Sequence, residues 1–243
     1  MVRSRGLAVA HAGELNVYWQ ESQVDQQAKT PCRMIDVVYN IDCRTLPVDH
    51  AWALSHAVIA ALPWLPEDPR SGVHTIHVAD SGNGWMRPEA PDALLYLSRR
   101  TRLVLRVPAE RLNDARQLCD QTLDVAGNRL AVGEADERSL SDSTTIFSRY
   151  VLSDEIGTEQ QFLQAVHACL GTMAIKPPKM LCGIEHGLRT PEGLLPARSL
   201  MLADLTPDES QRLQEQGLGP RRHLGCGLFI PHKGVRELHP ILE

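Results

Sequence analysis

The chain has 243 residues, of which 43% are hydrophobic and 23% are charged, as in folded globular domains and unlike an intrinsically disordered chain. This length allows one large domain or two small ones, each with its own core. The formal net charge of −5 argues against a protein that coats nucleic acid indiscriminately, but it is compatible with a local basic surface.

Charged residues are unevenly distributed along the chain. Basic residues fall into two groups without an intervening acid: Arg99, Arg100, Arg102 and Arg106, then Arg221, Arg222, Lys233 and Arg236. Residues 134–160 are instead rich in Asp and Glu, with only Arg138 and Arg149 as cations. We therefore expect a polar protein with one basic side.

The cysteines show neither a C-x-x-C motif nor the spacing of a small disulfide-rich domain. They are Cys32, Cys43, Cys119, Cys169, Cys182 and Cys226. This scatter is typical of reduced thiols, so we expect a cytoplasmic protein without a disulfide framework or a zinc site. The longest apolar run, residues 57–65, contains Pro63 and is too short to span a membrane.

Residues 1–33 have little periodicity and a polar middle, whereas a strand pattern begins sharply at Met34. We expect 1–33 to be a weakly ordered extension, with Met34 as a candidate natural start. We do not expect a signal peptide, because His11 and Glu14 interrupt the early apolar stretch.

The first half of the chain, in order, follows a βαββαβ pattern. The predicted elements are a strand at 35–41, a helix at 47–62, a strand at 72–80, a loop at 81–96, a strand at 101–108, a helix at 109–121 and a strand pair at 123–132 that turns at Gly127 and Asn128. In the first helix, Pro47 suits the first helical position and Asp49 the first turn. This is the order of a ferredoxin-like domain, predicted over residues 34–135.

The second half repeats the order without repeating the sequence. The predicted elements are a strand at 144–152, a helix at 158–173, strands at 179–187 and 197–205, a helix at 207–216 and a last strand at 226–233. Thr206 and Glu209 form a capping box for the last helix, Pro207 occupies its first position, and Gly217 suits a left-handed C-cap. With a second domain at 144–243, the predicted fold class is α+β, with two tandem ferredoxin-like domains.

The segment 215–235 is both glycine-rich and basic. Gly217, Gly219, Gly225 and Gly227 flank Arg221, Arg222 and His223. Glycines at tight bends let backbone N–H groups approach an anion, so the segment is a candidate anion-binding loop. A helix C-cap followed by a strand-entry turn explains the glycines equally well. The spacing matches neither a P-loop nor a dinucleotide-binding fingerprint.

The segment 205–235 also resembles the C-terminal signature of the Cas-six family of CRISPR repeat-processing endoribonucleases. In that signature a helix precedes a G-x-G, five residues, a second G-x-G and an apolar strand, as here at 217–219, 220–224 and 225–227. The stretches "LPVDHAWALSHAV", "TRLVLRVPAERL", "TLDVAGNRLAVG" and "LRTPEG" are similar to the MYXAN (myxobacterial-type) class I branch. The resemblance covers 34–235 in order.

This resemblance implies two tandem ferredoxin-like domains and cleavage of precursor CRISPR RNA once per repeat. The implied reaction needs no metal or other cofactor: the ribose 2′-hydroxyl attacks the adjacent phosphate and leaves a 2′,3′-cyclic phosphate and a 5′-hydroxyl. The implied partners are the precursor repeat as a hairpin, the mature CRISPR RNA and class I effector-complex subunits. We expect a monomer.

Catalysis of this kind uses proton transfer, for which histidine is suited near neutral pH. In the family, the usual catalytic group is a histidine on or just after the first helix, and this sequence has His50 and His56 there. His50 would lie in the first turn, where the helix dipole favours a neutral imidazole. His56 shares a face with Trp52 and could instead be structural. The position in the first turn favours His50 over His56, and the alternative that neither is catalytic, each being an ordinary exposed or packed helix histidine, stays open.

The predicted RNA contacts are the loop and two basic segments. They are Gly217, Gly219, Arg221, Arg222, His223, Gly225 and Gly227 in the loop, Lys233 beyond it, and Arg99, Arg100 and Arg102. These three arginines could equally protect a strand edge, and Lys233 could be a solvated strand end. Because aromatic residues make up only 5% of the chain, we expect backbone and hairpin-shape contacts rather than base stacking on a sheet.

Two competing functions remain at this point. A subunit that binds the repeat without cleaving it would have the same fold and the same loop. A small-molecule enzyme could bind a phosphometabolite at the loop, but its binding would lack the steep salt dependence of a hairpin-specific RNA interaction.

Overall fold

The computed structural model describes residues 34–77, 93–152, 157–176 and 179–232. The predicted extension 1–33, Arg236 and the candidate contact Lys233 lie outside these ranges. Within them, no helix has the length and apolar character needed to cross a membrane. The cysteines in these ranges are free thiols: Cys43, Cys119, Cys169, Cys182 and Cys226.

The described chain contains eleven strands and four α-helices. The strands are β1 (Met34–Asp42), β2 (Thr45–Pro47), β3 (Gly72–Val73), β4 (Leu94–Tyr96), β5 (Arg102–Pro108), β6 (Thr122–Val125), β7 (Asn128–Ser139), β8 (Ile146–Leu152), β9 (Lys179–Thr190), β10 (Gly193–Ala203) and β11 (Ile230–Pro231). The helices are α1 (Ala51–Ala61), α2 (Leu112–Ala115), α3 (Glu159–Thr172) and α4 (Pro207–Gln216).

The first sheet has the ferredoxin-like strand order. Its order is β3-β5-β1-β7-β6, and its pairings are antiparallel. Alternating apolar residues of β1 and β5 pack against α1 through Leu54 and Val58 and against Leu118, which lies just after α2. Tyr39 of β1 donates a hydrogen bond of 2.7 Å to the carbonyl of Ala115, which joins α2 to the sheet.

The second sheet repeats this arrangement with the order β11-β8-β10-β9, also antiparallel. Phe162 and Val166 of α3 and Leu213 of α4 pack against one face of it, with Leu200 in the centre of the core. Both helices begin with a capping box, at Thr158 for α3 and at Thr206 for α4. The predicted fold class, α+β with tandem ferredoxin-like domains, is confirmed.

The predicted start of the first helix is wrong. Pro47 is the last residue of β2, which pairs with β4 in a small separate sheet, and the helix begins only at Ala51. Val48 continues this pairing through a backbone hydrogen bond of 2.8 Å to Ala93. The strand β4 was not predicted and lies in the stretch 81–96, which was predicted as a loop. The sequence did not reveal it, because its partner β2 is distant in sequence and its three residues carry no clear strand pattern.

Other elements differ from prediction mainly in extent. The predicted helix 109–121 is broken: α2 has four residues and is flanked by 3₁₀ turns. β3 ends at Val73, well short of the predicted strand, whose last residues lie outside the described ranges. β11 comprises only Ile230–Pro231 of the predicted strand 226–233, and at its predicted start Cys226 forms an isolated parallel β-bridge to Tyr150 of β8. β7 extends to Ser139, beyond residue 135, so the domain boundaries stay predictions.

Candidate functional site

The glycine-rich loop between α4 and β11 contains several tight backbone turns. Gly217, Gly219, Gly225 and Gly227 all have positive φ, between 64° and 83°. A Cβ on Gly227 would overlap the carbonyl oxygen of Leu218, which leaves no space for any other residue there. Gly217 has φ 64° and ψ −171°. The positive φ favours glycine, as predicted. The value of ψ differs from that of a left-handed C-cap, so this part of the prediction is wrong.

Arg222 stabilises this loop from inside. Its guanidinium donates to the carbonyl of Gly219 at 2.7 Å and to the carbonyl of Gln216 at the end of α4. Burial, together with the nearby charge of Arg106, lowers the pKa of Arg222 from its ordinary value. Arg221 is exposed with φ 63°, and its side chain is therefore the better placed of the two to meet an anion.

The loop packs against the first ferredoxin-like half. A Cβ on Gly72 of β3 would lie 2.9 Å from the carbonyl oxygen of Arg222, and one on Gly225 would lie 3.2 Å from that of Val73. Leu224 and Cys226 are buried in a small cluster with Ala51, the first residue of α1. Burial raises the pKa of the Cys226 thiol to about 12, so this thiol serves packing. The loop thus brings His223 beside α1.

His50 lies buried just before the start of α1. It is 1% exposed, and its Nδ1 lies 2.8 Å from the carbonyl oxygen of Pro47, which can only accept a hydrogen bond. Its Nε2 accepts a hydrogen bond of 3.0 Å from the backbone N–H of Ile76. Both ring nitrogens are therefore engaged in the neutral form, and His50 lies before the helix rather than in its first turn.

His56 presents the opposite situation, because its ring is exposed on the surface of α1. The ring stacks against Trp52, with 3.9 Å between ring centroids and a tilt of 35°. Its Nδ1 lies 3.2 Å from the carbonyl oxygen of Trp52, so this nitrogen carries the proton. Nε2 of the neutral ring then has its lone pair available, as a proton acceptor must.

His223 is half-buried in the 3₁₀ turn Arg222–Leu224. Burial lowers its pKa, and the charges of Arg221 and His56 lower it further. His56 is thus close enough for its charge to act on His223, which agrees with the packing of Leu224 against the start of α1. The structure therefore groups two histidines and an exposed arginine at the junction of α1 and the loop.

Arg106, which the sequence grouped with the surface arginines, is fully buried. Its guanidinium pairs with Asp36 at 2.8 Å and 3.0 Å, and donates to the carbonyls of Gln214 at 3.0 Å and Phe229 at 2.9 Å in the second half. The expectation that Arg106 belongs to a basic surface is therefore wrong. An arginine between Leu105 and Val107 in an apolar strand is the sequence signal for such a buried role.

The remaining candidates lie apart from this junction. Arg99, Arg100 and Arg102 are exposed, and Arg102 donates to the carbonyls of Arg99 and Thr101, each at 2.9 Å. Arg99 and Arg100 lie in a turn just before β5, and Arg102 is the first residue of that strand. β3, which contacts the loop, pairs with the later β5 residues Leu105 and Arg106. The three arginines stay candidates for contacts to a more distant part of an RNA.

Solved structures with this fold include a Cas6-related protein from Pyrococcus furiosus, with a TM-score of 0.54 and 12% identity, covering 81% of this chain and 97% of that one. A RAMP protein described as binding different RNA substrates has a TM-score of 0.54 and 12% identity, covering 82% of this chain and 100% of that one. By fold, the chain is a protein of two tandem ferredoxin-like domains.

Sequence comparison identifies the family. The Cas6 family model, described as "Cas6 Crispr", matches residues 35–234. A CRISPR-associated endonuclease Cas6 of Myxococcus xanthus (strain DK1622) is 30% identical over 197 residues, which are 81% of this chain and 81% of that protein. The chain belongs to the Cas6 family, and the resemblance noted in the sequence is confirmed.

Proposed function

We propose that this protein is a metal-independent endoribonuclease that binds repeats in precursor CRISPR RNA and cuts each repeat once. The observation that carries the proposal is the state of His56: an exposed imidazole, held by Trp52, with Nδ1 bonded to a backbone carbonyl and Nε2 open as a base. Membership of the Cas6 family and the likeness to an endonuclease of Myxococcus xanthus support the same reaction class.

In the proposed reaction, His56 Nε2 removes the proton of a ribose 2′-hydroxyl. The 2′-oxygen then forms a bond to the adjacent phosphorus while the bond from phosphorus to the 5′-oxygen breaks. The 5′-oxygen takes up a proton from water, so the products carry a 2′,3′-cyclic phosphate and a 5′-hydroxyl. The chain's own groups supply every role except that of water.

Negative charge develops on the phosphate during this reaction and needs donors beside it. Arg221 is exposed next to His223, and the lowered pKa of His223 keeps its ring neutral near neutral pH, able to donate one N–H. Arg222, by contrast, holds the loop in shape. The loop therefore acts as a rigid support for the two side chains that face the phosphate.

The proposed partners are a hairpin repeat in the precursor, the mature CRISPR RNA, and class I effector-complex subunits that meet the bound product. The exposed arginines 99, 100 and 102 would contact the RNA backbone away from the cut. We propose that the protein acts as a monomer.

The test is incubation of the purified protein with the repeat RNA encoded beside its gene, labelled at one end and kept in EDTA. We expect one cut, with a cyclic phosphate and a 5′-hydroxyl at the new ends. A matched repeat with 2′-deoxyribose at the cut position should bind equally and remain whole. Tight binding of the unmodified repeat with no cut would show a repeat-holding subunit instead. A cut that needs added metal would overturn the proposed chemistry.

A further inference from the structure

One face of the second sheet is partly open. The helices α3 and α4 cover the opposite face, where Leu200 and Leu202 point into the core. Because directly paired residues of antiparallel strands share a face, the register fixes which side chains line the open side. Met201 pairs with both Phe147 and Leu181, and Phe147 pairs with Ile230. These four residues, Leu181, Met201, Phe147 and Ile230, form one row across the sheet, here called the open row.

The open row is apolar and reaches solvent. Leu181 is 61% exposed and Ile230 is 39% exposed at its two ends, while Met201 and Phe147 are half-buried in the middle. Beside it, Gly183 has no side chain, and a Cβ there would overlap the hydroxyl of Ser199. The surface next to the row is therefore low and flat, as a stacked planar group requires.

Cationic and titratable groups surround the aromatic ring of this row. The guanidinium carbon of Arg149 lies 5.7 Å from the centroid of the Phe147 ring, and the ring of His232 lies 5.8 Å from it. Lys179 is also near this face, but it pairs with Asp204 at 2.9 Å. The guanidinium of Arg149 lies over the ring, and the ring of His232 is tilted by 52° against it, so two side chains able to donate to phosphate oxygens lie next to a surface on which a base can stack.

The open row lies on the same face as the junction of α1 and the loop. Ala197 of β10 is buried in the cluster with Ala51 of α1, and Met201 follows four residues later on the same strand. At about 3.3 Å per residue, the row lies roughly 13 Å from that cluster. A strand of RNA that leaves the cut site can therefore reach it within a few nucleotides.

We propose that the open row binds unpaired nucleotides of the repeat next to the cut, with a base stacked on Phe147 and phosphates beside Arg149 and His232. This inference rests on the proposed function, because it names the part of the same RNA that this face holds. A protein partner would bury the apolar row equally well, but the guanidinium of Arg149 beside the ring favours a polyanion. The low aromatic content of the sequence argued against stacking, yet one ring in a central strand is enough for one base.

The test compares Phe147→Ala with Tyr96→Ala, a matched control that removes a 69% exposed aromatic ring from β4. Two labelled RNAs are used: the repeat hairpin alone, and the hairpin with its unpaired flanks, each with 2′-deoxyribose at the cut position. We expect Phe147→Ala to raise the Kd for the flanked RNA by about 5- to 150-fold, the range for one stacked base. The Kd for the hairpin alone, and both Kd values of Tyr96→Ala, should stay unchanged.

Two further variants protect the result against loss of folding. Phe147→Trp should bind the flanked RNA at least as tightly as the unmodified protein, because its ring is larger. Phe147→Leu keeps the apolar volume and should weaken binding as the alanine does. Equal weakening on both RNAs, or no weakening on the flanked RNA, would each overturn the proposal.

Failure of the proposed function gives a different pattern. In that case the unmodified protein binds neither repeat RNA tightly, and the probe becomes an oligouridylate without secondary structure. Dependence of its binding on Phe147 supports the open row as a single-strand site, and independence overturns it.

Discussion

At the scale of single residues, two histidines of one segment differ in burial and in the hydrogen bonds of their ring nitrogens. Both have Nδ1 bonded to a backbone carbonyl, but His50 also accepts the N–H of Ile76, whereas His56 is exposed against Trp52. The sequence narrowed the catalytic candidates to this pair from the family resemblance. Its position in the chain favoured His50, because the bond from Ile76 depends on a contact between segments 26 residues apart and is not visible in the sequence.

Replacement of His50 should therefore affect stability more than catalysis. In His50→Ala the buried N–H of Ile76 loses its acceptor, which should cost about 1–3 kcal/mol in the free energy of unfolding. Urea denaturation measures this, with His167→Ala on the exposed surface of α3 as control. At a temperature where the variant is folded, repeat cleavage should continue. A folded His50→Ala protein that no longer cuts would contradict the structural role.

At the scale of elements, local sequence signals predicted helix bounds correctly, whereas strand pairing between distant segments was not predicted. The bounds of α4 agree with prediction, because Thr206, Glu209 and Pro207 are neighbours that fix its start. The start of α1 was wrong, because Pro47 belongs to a strand whose partner is β4. The glycine spacing of the loop was visible in sequence, but the assignment of Arg222 to the inside of the loop required its contacts with Gly219 and Gln216.

Two loop glycines provide a matched comparison. Gly219 and Gly227 both have positive φ, but a Cβ on Gly219 meets nothing within 4 Å, whereas one on Gly227 overlaps Leu218. Gly219→Ala should cost only the backbone term, about 1–2 kcal/mol. Gly227→Ala should cost clearly more and should also weaken repeat binding, because the loop must open. Denaturant unfolding and RNA affinity measure the two effects. Equal losses of unfolding free energy in the two variants would contradict the close packing of Gly227 against Leu218.

At the scale of the whole molecule, the two sheets are joined through buried polar groups of Arg106. Asp36 of the first sheet compensates the charge of Arg106. Arg106 also donates hydrogen bonds to the carbonyls of Gln214 and Phe229, which belong to the second half. From the sequence, in which Arg106 follows three other arginines without an intervening acid, we predicted a basic surface at this position. Burial of a charge depends on tertiary partners, and these become visible only when both halves are present.

Removal of this buried pair should destabilise the protein strongly. Arg106→Met leaves Asp36 and two carbonyls without their donor, and should cost about 3–5 kcal/mol in unfolding free energy. The control is Arg70→Met, which breaks a pair with Asp68 whose side chains are 34% and 25% exposed, and should cost at most about 1 kcal/mol. Similar costs for both variants would show that Arg106 does not join the halves.

The same cluster predicts how stability depends on pH. Burial lowers the pKa of His74. For Asp36, burial raises the pKa, but the charge of Arg106, together with the interactions of His74 and the hydrogen bonds of Arg106, outweighs burial and lowers the pKa. As pH falls, the unfolded chain therefore binds these protons first. The contribution of His74 is complete above about pH 6.5 and is lost below it, and that of Asp36 is lost below about pH 4.

Thermal melting should thus show a Tm that falls between about pH 7.5 and pH 5.5. The slope should be smaller in His74→Asn and unchanged in His167→Asn. A Tm that rises toward low pH would contradict the assignment of a neutral, buried His74.

The most direct test of the account is the single-turnover cleavage rate of the repeat RNA by His56→Ala, with His167→Ala as control and RNA affinity measured for both. We expect the rate of His56→Ala to fall by about 10²- to 10⁴-fold, as for loss of a general base, while its affinity stays within a few-fold of the unmodified protein. A folded His56→Ala protein that cuts at the unmodified rate would contradict the central claim, since the proton would then be taken by another group.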